Sequence, residues 1–200
     1  MRRHTRSGLI AALCLAPAVV AWTSYNTQVT LQPKSRLWIE GTSTVRSFQC
    51  QAGTVEAEIV ATAPEIATLI ASGEKAVESV ALTVPAGKID CRNGTMNEHM
   101  LKALKAKDHP TIAFKLSSYE LAEISGATKV TLNGTLELGG VTKEITMSAT
   151  ATPAEDGSLR VLGTHELTMT EYGIKPPKLM MGTMKVHPKV KVGFDLLLKA

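Results

Sequence analysis

Three segments of the chain alternate apolar and polar side chains with a period of two. In Lys129–Leu138 the apolar set is Val130, Leu132, Leu136 and Leu138, set against Thr131, Asn133, Thr135 and Glu137. In Glu144–Thr150, Ile145, Met147 and Ala149 alternate with Thr146, Ser148 and Thr150. Near the end, Val190, Val192, Phe194, Leu196 and Leu198 fall on one parity, and Lys189, Lys191, Asp195 and Lys199 on the other. Extended backbone puts residues i and i+2 on one face, so the pattern predicts strands with one apolar and one wet side. Strands covered by helices on both faces would read as unbroken apolar runs. The same period runs less cleanly through Arg36–Val45, Gly53–Ala63, Val77–Val84, Thr111–Leu121 and Leu159–Thr170. That makes eight strands, the number at which an antiparallel sheet closes with room for one ligand.

Turn chemistry supports the order. Gly139-Gly140 sits between two strands where a tight hairpin needs positive φ, and Pro153 to Gly157 makes a looser turn. One stretch has a helical period instead. Thr95 and Glu98 have the spacing of a capping box, Met96, Met100, Ala103 and Leu104 share a face, and Pro110 ends the segment. A second short helix is expected over Pro64–Ser72.

The N-terminus carries Arg2, Arg3 and Arg6 and then an uncharged stretch from Gly8 to Ala21. A basic start followed by an apolar run of this length reads as a secretory leader, residues 1–21, with cleavage expected after Ala21. The alternative is a retained anchor helix, which Pro17 disfavours. The whole chain has 22 Lys and Arg against 18 acids; without the three leader arginines the balance is 19 to 18. Such a near-neutral chain is not expected to bind nucleic acid. Export also exposes Cys50 and Cys91 to an oxidising compartment, where an even pair reads as a disulfide; two free buried thiols are the alternative.

Residues with catalytic spacing are scarce. There is no GxSxG elbow, no HExxH and no phosphate-binding glycine loop, and nothing calls for a metal or another cofactor. His99, His109 and His187 are expected in solvent. His165 is different, because it shares the apolar parity of Leu159, Val161 and Leu167. It is placed inside the barrel to meet a ligand or a backbone group, unless a bulge at Gly163 turns it outward. Tyr172–Val186 contains Pro176-Pro177 and is read as a loop or disrupted strand. It holds Met180, Met181 and Met184, suited to irregular apolar partners, beside Lys175 and Lys178, which offer charge to an anionic headgroup.

Several of these stretches resemble the YceI-like family. Gly41-Thr42-Ser43-Thr44-Val45 with Phe48 resembles its first-strand motif. Asn97 to Leu101 and Lys107 to Phe114 resemble its helix and PTIxF exit, and Gly134 to Lys143 its G-x-L-x-L-x-G-V-T-K hairpin. The resemblance covers residues 34–199, taken as one domain. It implies an all-β fold, an eight-stranded antiparallel lipocalin-like β-barrel with one or two short helices, periplasmic or secreted. It also implies a non-enzymatic protein that holds a polyisoprenoid or other long-chain lipid inside. The expected ligand contacts are Trp38 or its strand neighbours, Phe114, Leu116, Leu136, Met147, His165, Met169, Tyr172, Lys175, Met180, Met181, Met184 and Phe194. No stable membrane insertion is expected once the leader is gone, and a homodimer is compatible with the sequence. Competing readings are a structural barrel filled by its own side chains, an enzyme acting through His165, and an outer-membrane barrel, which the missing aromatic girdles oppose.

Overall fold

A computed structural model of the chain describes residues 26–179 and 183–200. Twelve strands run in chain order: β1 (Thr27–Leu31), β2 (Arg36–Ser43), β3 (Ser47–Ala52), β4 (Glu56–Ala61), β5 (Val77–Pro85), β6 (Ile89–Asp90), β7 (Thr111–Ile124), β8 (Ala127–Leu138), β9 (Val141–Pro153), β10 (Leu159–Thr168), β11 (Lys178–Leu179) and β12 (Met184–Lys199). Two helices interrupt them, α1 (Ile66–Ala71) and α2 (Gly94–Ala103). All pairings are antiparallel, and β1 meeting both β4 and β12 closes the barrel.

The expected count of eight holds, although several of the staves are broken. β1 and β2 follow one another along the same edge of β12, opposite Leu198–Lys199 and then Val186–Asp195. β3 and β4 form the next stave, and β5 and β6 the third. Each break interrupts the ladder and lets its stave bend. The breaks also explain why β1 and β3 escape a sequence reading: each is only half a stave, and its alternation is too short to register. At the end of the third stave β6 pairs with β3, while β5 pairs with β7 only as far as Pro85 opposite Thr111. The chain between β6 and β7 is α2, and it packs over that seam through Met96, Met100, Ala103 and Leu104.

Local chemistry sets the ends of these elements. The N-cap of α2 is Asn93, whose Oδ1 accepts the Met96 amide at 2.9 Å, two residues ahead of the expected Thr95. Gly139 and Gly140 both have positive φ, 58° and 81°, as a two-residue hairpin turn requires. The His109 ring lies where a Cβ at Gly140 would stand, so this half-buried histidine packs one face on the turn. His187 falls within β12 and is exposed, as expected. The β2 register slips between Val186 and Val190, around Pro188, which has no amide to give the ladder. Cys50 and Cys91 form a disulfide across the β3–β6 pair, with Cα atoms 3.9 Å apart.

α1 plugs one end of the barrel. Ile66, Ala67 and Ile70 are buried against Val130, Ala149, Ala151 and Leu159, and the Thr128 hydroxyl donates to the Ile70 carbonyl at 3.0 Å. The other end carries α2, the Gly139-Gly140 turn, and the β2–β3 tip. There Leu138, Leu167, Tyr172 and Ile174 form a separate cluster.

Candidate ligand-binding cavity

The inward parities of these strands do not meet in the middle. They enclose a cavity of about 540 Å³, within the range of about 300–1,000 Å³ common for small-molecule sites. Its wall runs from Ile59, Ile70 and Leu159 at the α1 end to Met96 and Met100 of α2 and the following Leu104 at the other. Nearly all of the lining is hydrocarbon, aromatic ring or sulfur.

Most of the expected contacts come together on this wall. Phe114, Leu116, Leu136, Met147, His165, Met169, Met184 and Phe194 all line the cavity. Trp38 does not. It lies on the outer face of β2 over Gly193, with its indole N–H donating to Glu40 at 2.9 Å, while its neighbours Leu37 and Ile39 face inward. The register decides this: Leu37 pairs with the inward-facing Phe194, so Trp38 takes the opposite parity. Tyr172 is 2% exposed but is absent from the cavity wall and belongs to the cluster at the end of the barrel. Lys175 is exposed and also off the wall. Met180 and Met181 lie outside the described residues.

His165 keeps its inward parity because β10 and β12 pair without a register shift through Gly163. No bulge turns it outward. Burial holds the imidazole below its ordinary pKa, against a smaller opposite pull from Glu166, so the ring is neutral at neutral pH. A neutral ring offers one donor and one acceptor to whatever fills the cavity. The glycines near it do not add ligand space. A Cβ at Gly163 would overlap the Phe194 ring, and one at Gly134 the Phe114 ring, so these glycines seat aromatic walls instead.

Sequence reasoning missed part of the wall. Tyr119 is buried on it, with its hydroxyl accepting the Val77 amide at 3.0 Å. Both disulfide cysteines are part of it, and Cys91 Sγ lies 3.8 Å from Met100 Sδ. Arg46, in the β2–β3 turn, and His99, on α2, reach it as well. Extending the period from β2 through the turn would have flagged the hairpin, but only the closure of the barrel shows that its tip overhangs the cavity.

The family model for the YceI-like domain matches residues 26–198. The chain belongs to the YceI-like family. Among solved structures it is similar to BcnA of Burkholderia cenocepacia, at 15% identity and a TM-score of 0.63, over 84% of this chain and 97% of that one. A polyisoprenoid binding domain from Saccharophagus degradans, implicated in plant cell wall breakdown, gives 12% identity and a TM-score of 0.61 over 86% and 98%. The YceI protein of Campylobacter jejuni gives 16% and 0.56 over 76% and 84%. At these identities the structures establish the shared barrel. No curated protein sequence matches the chain at a significant level.

Proposed function

We propose that this YceI-like protein is exported to the periplasm or secreted, and that it binds a polyisoprenoid or similar long-chain amphiphile inside its barrel without turning it over. The observation that carries the reading is the apolar cavity of about 540 Å³, which the protein's own side chains leave unfilled. Burying apolar surface contributes about 25 cal/mol per Å², enough for a prenyl chain to bind well without a catalytic group. His165 is then a contact for a ligand oxygen, not a base. Phe114, Leu116, Leu136, Met147, Met169, Met184 and Phe194 solvate the chain. The polyisoprenoid binding domain of S. degradans, with its similar barrel, supports the choice of ligand class. The basic, uncharged-run leader at residues 1–21 supports export.

Native mass spectrometry of the protein purified from a periplasmic or culture fraction tests both parts. The expected result is a chain beginning at residue 22 that carries a releasable long-chain lipid. A protein that stays empty when incubated with farnesol or longer prenyl alcohols is a self-filled structural barrel instead.

A further inference from the structure

Between β5 and β7 the chain leaves the long ladders of the barrel. β5 pairs with β7 as far as Pro85 opposite Thr111, and just beyond them the Ala86 amide donates to the Pro110 carbonyl at 2.8 Å. Residues 86–110, which include β6 and α2, therefore form a flap whose two ends leave the wall side by side. Element ends placed this way can act as a hinge, because the flap swings on a few terminal dihedrals while the β5–β7 ladder stays intact.

The flap supplies part of the cavity wall through Ile89, Cys91, Met96, Met100, Ala103 and Leu104. Its polar contacts near the start of α2 turn back on itself. Asn97 Oδ1 accepts the Cys91 amide at 2.8 Å, Asn97 Nδ2 donates to Asp90 at 2.8 Å, and Asn93 caps the helix. These bonds knit β6 and α2 into one body. That body meets β3 through two residue pairs, Gln51 with Asp90 and Ala52 with Ile89, and through the Gly53 amide, which donates to the Lys88 carbonyl at 2.7 Å. No residue of α2 is fully buried. The cross-link from flap to barrel is the Cys50–Cys91 disulfide, and it lies on the cavity wall against Met100, with Cys91 Sγ 3.8 Å from Met100 Sδ. Helix seating, disulfide and cavity contents are thus in one place.

We infer that residues 86–110 are a door to the cavity and that Cys50–Cys91 is its latch, so that the redox state of this bond controls how firmly cargo is held. The inference rests on the lipid-binding reading above and adds regulation to it. A dithiol of the thioredoxin class supplies the step. One of its thiolates attacks a sulfur of the bond, and its second resolves the mixed disulfide. Two electrons and two protons pass to Cys50 and Cys91, which become thiols, while the dithiol becomes a disulfide. The two cysteines are 2% and 8% exposed, so the attack falls on molecules whose flap has lifted. A chain bound against Met96 and Met100 holds the flap down. Linkage then runs both ways: reduction weakens binding by some factor, and bound ligand protects the disulfide by that same factor.

Titration calorimetry of farnesol on the mature protein, with the disulfide intact and after reduction by dithiothreitol, decides the matter. The reduced protein should bind about tenfold more weakly and release farnesol faster, a coupling of ordinary size for two linked sites. Saturating farnesol should raise the ratio of reduced to oxidised dithiothreitol needed for half reduction by about the same factor, read by thiol labelling and mass. Cys50→Ala with Cys91→Ala should bind like the reduced protein and ignore dithiothreitol. Equal affinity in the two redox states, or a half-reduction ratio that farnesol leaves in place, overturns the inference and leaves the lipid-binding reading standing. Binding by neither state overturns both. Hydrogen exchange on the reduced protein should rise over residues 86–110 with β8 and β9 still protected. If reduction instead exposes the whole barrel, the bond is a staple of the fold and not a latch, and the inference fails.

Discussion

Asp195 is 6% exposed, the most deeply buried charged side chain among the described residues. It lies on the outer parity of β12, yet two arginines cover it. Arg160 of β10 donates to both of its oxygens at 2.8 Å, and Arg36 of β2 donates to one at 3.2 Å. The cluster therefore staples β2, β12 and β10 across the outer face. The Arg160 hydrogen bonds, with a smaller contribution from that of Arg36, hold the carboxyl below its ordinary pKa despite the opposing effect of burial. The unfolded chain therefore takes up the proton first as pH falls. The stabilisation is fully present above the usual carboxylate range and is lost as pH drops through the folded-state value. Asp195→Asn should cost about 1–2 kcal/mol at pH 7, since both arginines are half exposed and recover water when released. Urea unfolding should show the gap between variant and wild type narrowing from pH 7 to pH 3. A gap that is constant with pH would mean that packing, not charge, is lost.

At the scale of elements, α2 and the disulfide act together. β6 is two residues long and pairs with β3 alone, so Cys50–Cys91 is what fastens the seam-covering helix to the sheet. No side chain of α2 is fully buried, although three of them, and Leu104 that follows, pack on the clusters that border the cavity. Such an element opens more readily than the long ladders of β7, β8 and β9. A bridge of sequence separation 41 contributes about 4 kcal/mol by restricting the unfolded chain. Cys50→Ala with Cys91→Ala should lower stability by about that much in a thermal melt. Hydrogen exchange should rise first over residues 89–104 and leave β8 and β9 protected. Uniform loss of protection would show instead that α2 and the sheet open as one unit. The sequence showed this helix plainly, through its apolar face and Pro110, but not its task. Nothing local to residues 94–103 says that β6 and β7 fail to meet beneath them.

The whole barrel encloses the cavity only because eight staves close on themselves, so its size is a property of the complete ring. Leu132→Trp, at a half-buried position on the wall, should fill much of the space at a cost of about 1–3 kcal/mol in stability. Lipid carried through purification should then fall several-fold by native mass spectrometry while the protein stays folded. Unchanged occupancy would place the ligand elsewhere. How much of this was legible follows from the range of the interactions. Alternation in β8, β9 and β12 and the Gly139-Gly140 turn fixed the strands, their inward faces and the antiparallel class, because side-chain parity and turn dihedrals are local properties of the chain. The inward side of Phe114, Met147, His165 and Phe194 came with them. Trp38 could not be placed that way, since Leu37 and Ile39 gave the other parity an equal claim, and the register against β12 resolved it. The disulfide's neighbours, the seam under α2 and the arrival of Arg46 at the cavity mouth depend on pairings between residues far apart in the chain. Sequence alone determined which side chains share a face; tertiary closure decided what those faces enclose, because a cavity belongs to the ring of strands and to no single one of them.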